Sequence, residues 1–132
     1  METTYVATKL RCFSGIIGLY YEEQGEKKTW TLEDVKSRVK KWIEKRNNDR
    51  QFSLCVIVSN VESLFYCSEG SIVEEPTVRV YGEIVRPNTD IADDRIKEAL
   101  LNLFSFLNSD LKQYSVRFHF QGYTENKSIR IC

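Results

Sequence analysis

Thr77-Val78-Arg79-Val80-Tyr81-Gly82-Glu83-Ile84 and Ser115-Val116-Arg117-Phe118-His119-Phe120-Gln121 both alternate apolar and polar residues. Successive side chains of an extended strand point to opposite faces. One face therefore carries Val78, Val80, Val116, Phe118 and Phe120, and the other Arg79, Tyr81, Glu83, Arg117 and His119. A half-buried strand needs a polar side, but not one rich in arginine, tyrosine and histidine. That side is solvated surface, a subunit interface or a binding site, and alternation alone leaves all three open.

Between and before these strands lie two stretches of helical period. In Thr31 to Arg46, Leu32, Val35, Val39, Trp42 and Ile43 recur at helical spacing. Thr31-Leu32-Glu33-Asp34 resembles a capping box with Asp in place of Glu. The basic residues Lys36, Arg38, Lys40, Lys41, Lys45 and Arg46 fill the remaining face, read as a solvated helix surface. The second helix is expected over Asp93 to Leu111, with Ile96, Leu100, Leu103, Leu107 and Leu111 in one stripe. Leu101, Phe104 and Phe106 widen that stripe, so this helix is expected to touch a second surface. Asp90, Asp93 and Asp94 suit the positive helix start.

Strand signals fill the rest. Tyr5 to Cys12 and Ile16 to Glu22 flank Phe13-Ser14-Gly15, read as a hairpin turn, with a polar turn at Gln24 to Lys28. Phe52 to Ser59, Leu64 to Tyr66, Thr77 to Val85 and Ser115 to Tyr123 follow, and Ser128 to Cys132 closes a last hairpin. Helix, polar turn and strand recur over equal spans, from Asp34 to Val58 and from Asp94 to Phe118. The expected architecture is α+β: two helices packed on one face of a mixed β-sheet, built from repeated β-α-β units in a tautomerase-like or ferredoxin-like order.

The 132 residues fit a single domain, 1–132, able to bury a core without disulfides or metal. Lysine plus arginine and aspartate plus glutamate both number 19, and a zero net charge argues against general nucleic-acid binding. No apolar run approaches a membrane span, and no basic-then-apolar leader opens the chain, so the expected location is cytoplasmic. Cys12, Cys55, Cys67 and Cys132 form no CxxC pair and the chain has 1 His, so no metal or other cofactor is expected. Cys55, within Leu54 to Val58, reads as a buried thiol.

The order Phe52 to Val58, Leu64 to Tyr66, Val78 to Ile84, helix Ile96 to Leu111 and strand Val116 to Phe120 resembles the tautomerase superfamily, the fold of macrophage migration inhibitory factor. That resemblance implies a trimer with sheet faces turned inward. It also implies a catalytic N-terminal proline, which this sequence lacks: position 2 is Glu2, and the prolines are Pro76 and Pro87.

Arg79, Tyr81, Arg86, Asn88, Arg117 and His119 are the candidate ligand-binding residues, with Lys9 and Arg11 as further cations. Guanidinium forks suit phosphate or carboxylate, a tyrosine can stack on a base, and Arg86-Pro87-Asn88 ends a strand where loops carry contacts. His119 has no nucleophile motif beside it, and GxSxG, GxGxxG and Walker loops are absent. Trp30, Tyr20 and Tyr21 form an aromatic patch or seal the core edge. The expectation is therefore binding rather than catalysis: a homo-oligomer sequestering a small anionic ligand, such as a nucleotide signal, between subunits, in the manner of phage or microbial host-defence antagonists. A tautomerase or isomerase with a non-proline base, using His119 with Arg79 or Arg117, is one alternative. A protein inhibitor or immunity module acting on a protein partner is the other.

Overall fold

The computed structural model of the chain describes residues 11–66 and 72–121. Its strands are β1 (Cys12–Gly18), β2 (Tyr20–Glu23), β3 (Glu26–Thr29), β4 (Ile57–Tyr66), β5 (Ile72–Glu83) and β6 (Arg117–Gln121). Its helices are α1 (Leu32–Asn48) and α2 (Asp93–Asp110), the latter preceded by a short 3-10 turn at Asn88–Asp90.

The main sheet has the order β4-β5-β1-β6, and β2 pairs with β3 as a separate ribbon. Each neighbouring pair is antiparallel. It follows that β1 and β4 run the same way with β5 between them, and β5 and β6 run the same way with β1 between them. Helix α1 joins the first such pair and α2 the second. Two interleaved split β-α-β units make the ferredoxin-like order, with the β2-β3 hairpin inserted between β1 and α1. The expected α+β class, with both helices on one sheet face, is what forms.

The reason lies in the alternation. Phe13 and Ile17 on β1, Val78 and Val80 on β5, and Phe118 and Phe120 on β6 are all buried on one face. Val35, Val39 and Trp42 from α1 and Ile96, Leu100, Leu103, Phe104 and Leu107 from α2 cover them. Burying side chains of this size stabilises by roughly 1.5–3 kcal/mol each. Gly15 sits among them because there is no room for more: an added Cβ would overlap the Phe104 ring and lie 3.0 Å from Phe118 Cβ. Phe104 stacks on Phe118 at 4.5 Å between centroids. The extra width of α2 is thus partly core, through Phe104 and the partly buried Phe106, while Leu101 remains exposed.

The cap of α1 forms as expected. Asp34 N–H donates to Thr31 Oγ1 at 3.2 Å and Thr31 N–H donates to Asp34 Oδ2 at 2.8 Å. The Thr31 N–H bond first, and then the Thr31 hydroxyl donating to the same Oδ2 at 2.9 Å, hold the Asp34 carboxyl below its ordinary value. At α2 the N-cap is Ala92, with no side-chain cap. Asp93 instead receives the Arg11 guanidinium at 2.9 Å, in a pair where Arg11 is only 4% exposed. The basic face of α1 is solvated in part: Arg38 pairs with Asp110 and lies over Trp30, and Arg46 donates to the Phe52 carbonyl.

Several element expectations are corrected. Phe13-Ser14-Gly15 is the middle of β1, not a turn, because Gly15 is needed flat against Phe104. The tight turn is Gln24-Gly25, whose φ values of 54° and 79° suit a two-residue hairpin loop. Ile16 to Glu22 is broken at the buried Leu19, whose N–H donates to the Pro76 carbonyl and whose carbonyl accepts from Trp30 N–H. Phe52 to Ser59 and Leu64 to Tyr66 are not two strands. Extended structure begins at Ile57 and runs unbroken to Tyr66, paired with β5 residue by residue. Strand β5 starts at Ile72 and passes through Pro76, which lies just beyond the last β1 pairing, Gly18 with Thr77, and so needs no donor on that side. Cys55 is exposed rather than buried, because it precedes the strand expected to bury it. Of the strand expected at Tyr5 to Cys12, all but Arg11 and Cys12 lies outside the described residues, as does the strand expected at Ser128 to Cys132.

Candidate functional site

The sheet face turned away from the helices holds the polar row. The β1 register places Ser14 between Tyr81 and His119, and Ile16 between Arg79 and Arg117. Toward the Gly18 end of β1 this face opens into a cleft of about 840 Å³. Its floor is Ser14, Ile16 and Gly18, with Arg117 and His119 from β6. Tyr20, Tyr21, Glu22 and Lys27 come from the β2-β3 hairpin, Glu75 and Thr77 from β5, and Gln113, Tyr114 and Ser115 from the segment after α2.

The hairpin is held in place by the end of α2. Tyr21 stacks on Trp30 at 4.1 Å, and Trp30 Nε1 donates to the Leu111 carbonyl at 2.7 Å. Lys112 Nζ pairs with Glu23 at 2.7 Å. The hydrogen bond and charge of Lys112 hold the Glu23 carboxyl below its ordinary value, and the same bond holds the Lys112 ammonium above its own. Gln113 Nε2 donates to the Tyr20 carbonyl at 3.1 Å and to the Leu111 carbonyl at 3.0 Å. Trp30 is therefore a brace of the site, and Tyr20 and Tyr21 are its aromatic lining.

The cleft is polarised along β1. Over Gly18 stand two acceptors: a Cβ added there would lie 3.1 Å from Glu75 Oε1 and 3.2 Å from Gln113 Oε1. Two residues away, at about 3.4 Å of rise each, Ile16 pairs with Arg117, and His119 follows opposite Ser14. Acceptors at one end and nitrogen groups at the other suit a ligand carrying both an amino group and an acid. Lys27 Nζ lies over the Tyr20 ring at 3.9 Å. Among the described residues no group of three metal-ligating side chains exists, and no helix is long and apolar enough to cross a membrane.

The candidate residues divide into three sets. Arg117 and His119 line the cleft. Arg79 and Tyr81 lie beside it: Arg79 covers the Tyr81 ring at 4.0 Å and donates to Ser14 Oγ at 3.0 Å. Arg86 and Asn88 follow the opposite end of β5 and are not brought to the cleft. Arg86 is exposed, while Asn88 donates to the Ser53 carbonyl and its own carbonyl accepts from Arg11. Arg11 is buried against Asp93 and the carbonyls of Thr89 and Ile91, so its cation already faces protein acceptors. Lys9 lies outside the described residues. Gly18, Gln113 and Tyr114 were missed. A glycine inside a strand pattern is the signal that marks Gly18; Gln113 and Tyr114, in an irregular turn, carry none.

No protein-family model matches this chain, and no curated protein matches it. Solved structures do. A phage SAM lyase in its apo state superposes with a TM-score of 0.65 at 19% identity, covering 99% of this chain and 94% of that one. A phage SAM lyase in complex with S-methyl-5′-thioadenosine gives a TM-score of 0.60 at 19% identity, covering 100% of this chain and 94% of that one. The tautomerase resemblance is thereby corrected: its strand, short strand and strand are one antiparallel pair, β4 with β5. The expectation of a non-catalytic sequestering protein is corrected by the same comparison, since these full-length structural neighbours are lyases. At this level of identity the likeness establishes a shared fold.

Proposed function

We propose that this chain binds S-adenosylmethionine in the cleft beside Gly18 and cleaves it, releasing S-methyl-5′-thioadenosine. The observation that carries the reading is the polarity of the cleft: Glu75 and Gln113 acceptors at one end and Arg117 and His119 at the other, in a cleft that Tyr20, Tyr21 and Tyr114 also line. S-adenosylmethionine carries an ammonium, a carboxylate, a sulfonium and an aromatic base, and each has a complement here. The ammonium suits the acceptors and the carboxylate suits Arg117. Sulfonium and adenine both favour the faces of Tyr20, Tyr21 or Tyr114. The volume of about 840 Å³ lies within the range of small-molecule pockets.

The bond to break joins the sulfonium sulfur to the aminobutyrate arm. Its electron pair stays on sulfur, giving the neutral thioether. A lyase admits no water, so the carbon is satisfied from within the arm: its own carboxylate oxygen forms the new C–O bond as the C–S bond breaks, closing a lactone. This step removes the sulfonium charge, so the tyrosine-lined walls favour reaction by replacing water around that charge. Self-association belongs to the same proposal, because Ile16 and Ile57, 49% and 48% exposed, lie on this sheet face.

The test is incubation with S-adenosylmethionine, followed by chromatography with mass detection. Stoichiometric appearance of S-methyl-5′-thioadenosine is expected. Absence of both turnover and calorimetric binding of either compound would overturn the reading.

A further inference from the structure

Gln113 is an amide whose direction is chemically determined. Both hydrogens of Nε2 are donated to carbonyls, those of Tyr20 and Leu111. Reversing the amide would set Oε1 against those carbonyls, oxygen to oxygen, and lose both bonds. Oε1 is therefore held as an acceptor, and it stands over Gly18 beside Glu75 Oε1. The missing side chain at Gly18 leaves the space between these oxygens open to a ligand. Two convergent acceptors, one of them a carboxylate, welcome an N–H donor and repel a carbonyl or ether oxygen.

We infer that Gln113 is the specificity-determining residue of this cleft, selecting ligands that present a primary amino group over Gly18. This rests on the S-adenosylmethionine reading, in which two sources offer that chemistry: the 6-amino group of adenine and the α-ammonium of the amino-acid arm. The selection arises because Gln113 cannot turn to suit a ligand without losing both of these bonds, one of them to Tyr20 of the hairpin. A ligand lacking the amine leaves both oxygens desolvated without a partner.

The experiment is calorimetric titration of wild type and two variants with four ligands. S-Adenosylhomocysteine carries both amines and S-inosylhomocysteine only the α-ammonium; their α-deamino analogues, the S-adenosyl and S-inosyl derivatives of 4-thiobutanoate, carry only the base amine and neither amine, and all four keep the carboxylate. In wild type, removing the amine that lies over Gly18 is expected to weaken binding about tenfold or more. The amine whose loss does this is the source. Gln113→Leu removes the acceptor, and the penalty should shrink to under about threefold. Gln113→Lys keeps donors for the two carbonyls, preserving the tether, and should lose the selectivity in the same way. Wild type that tolerates loss of both amines, or a folded variant that keeps full selectivity, overturns the inference while leaving S-adenosylmethionine binding intact. Wild type that binds none of the four ligands overturns the inference and the reading beneath it together.

Discussion

Gly15 and Gly18 lie three residues apart on β1, so a methyl group added at each enters a different world. At Gly15 it points into the core, overlapping the Phe104 ring and approaching Phe118 Cβ to 3.0 Å. Forcing that volume into a packed interior costs about 1–3 kcal/mol. Loosening the Phe104–Phe118 stack adds about 0.5–1.5 kcal/mol, and the stiffer unfolded chain returns about 0.4–1 kcal/mol. Gly15→Ala should therefore lose roughly 2 kcal/mol, which lowers the urea midpoint by about 1 M. At Gly18 the methyl group meets only the ends of two side chains, Glu75 and Gln113, at 3.1 and 3.2 Å. Those contacts are relieved by shifts of a few tenths of an ångström, without the Gln113 amide turning over, so Gly18→Ala should stay within about 0.5 kcal/mol of wild type. It should nevertheless weaken S-adenosylhomocysteine, which carries both amines, about tenfold or more, since the methyl fills the space between the acceptors. The assays are urea denaturation followed by tryptophan fluorescence, and calorimetric titration. Gly15→Ala with an unchanged midpoint, or Gly18→Ala as damaging to stability as Gly15→Ala, would refute the division of β1 into a core face and a cleft face.

Arg11→Met should cost about 3–5 kcal/mol in chemical denaturation, because it leaves Asp93 and several carbonyls without their cation; a loss below about 1 kcal/mol counts against the buried pair. The Glu23–Lys112 tether should make stability pH-dependent at both ends. Glu23 titrates below its ordinary 4.5 when folded and Lys112 above its ordinary 10.5. The contribution is full between those values, is lost as pH falls through the lowered Glu23 value, and is lost again as pH rises through the raised Lys112 value. Thermal melts of wild type and Lys112→Met should converge outside that window, and parallel curves across all pH would remove the tether's role. Arg117→Met should weaken S-adenosylhomocysteine by about 10–100-fold while sparing S-methyl-5′-thioadenosine, which has no carboxylate. Equal losses for both compounds would place the acid elsewhere.

Part of this was legible locally. The two faces of Thr77 to Ile84 and Ser115 to Gln121 followed from a period of two, which depends on nothing beyond neighbouring residues. The helices followed from their apolar spacing, and the α1 cap from Thr31 and Asp34. The outward direction of Arg117 and His119 is likewise legible in the alternation, and both line the cleft. Arg86 and Asn88 were named for standing at a strand end, and direction was the missing quantity: β5 ends away from the cleft.

The sequence by itself determined the α+β class, both helices, and which side chains of β5 and β6 face the core, because these rest on short-range periodicity and capping. Only the tertiary structure decided the order β4-β5-β1-β6, the single long β4, and the assembly of the cleft. Those depend on contacts between residues far apart in the chain: Arg11 with Asp93, Gly15 with Phe104, Gly18 with Glu75 and Gln113. Such pairs leave no periodic trace, since each is settled by whether two surfaces can approach and whether every buried polar group there finds a partner.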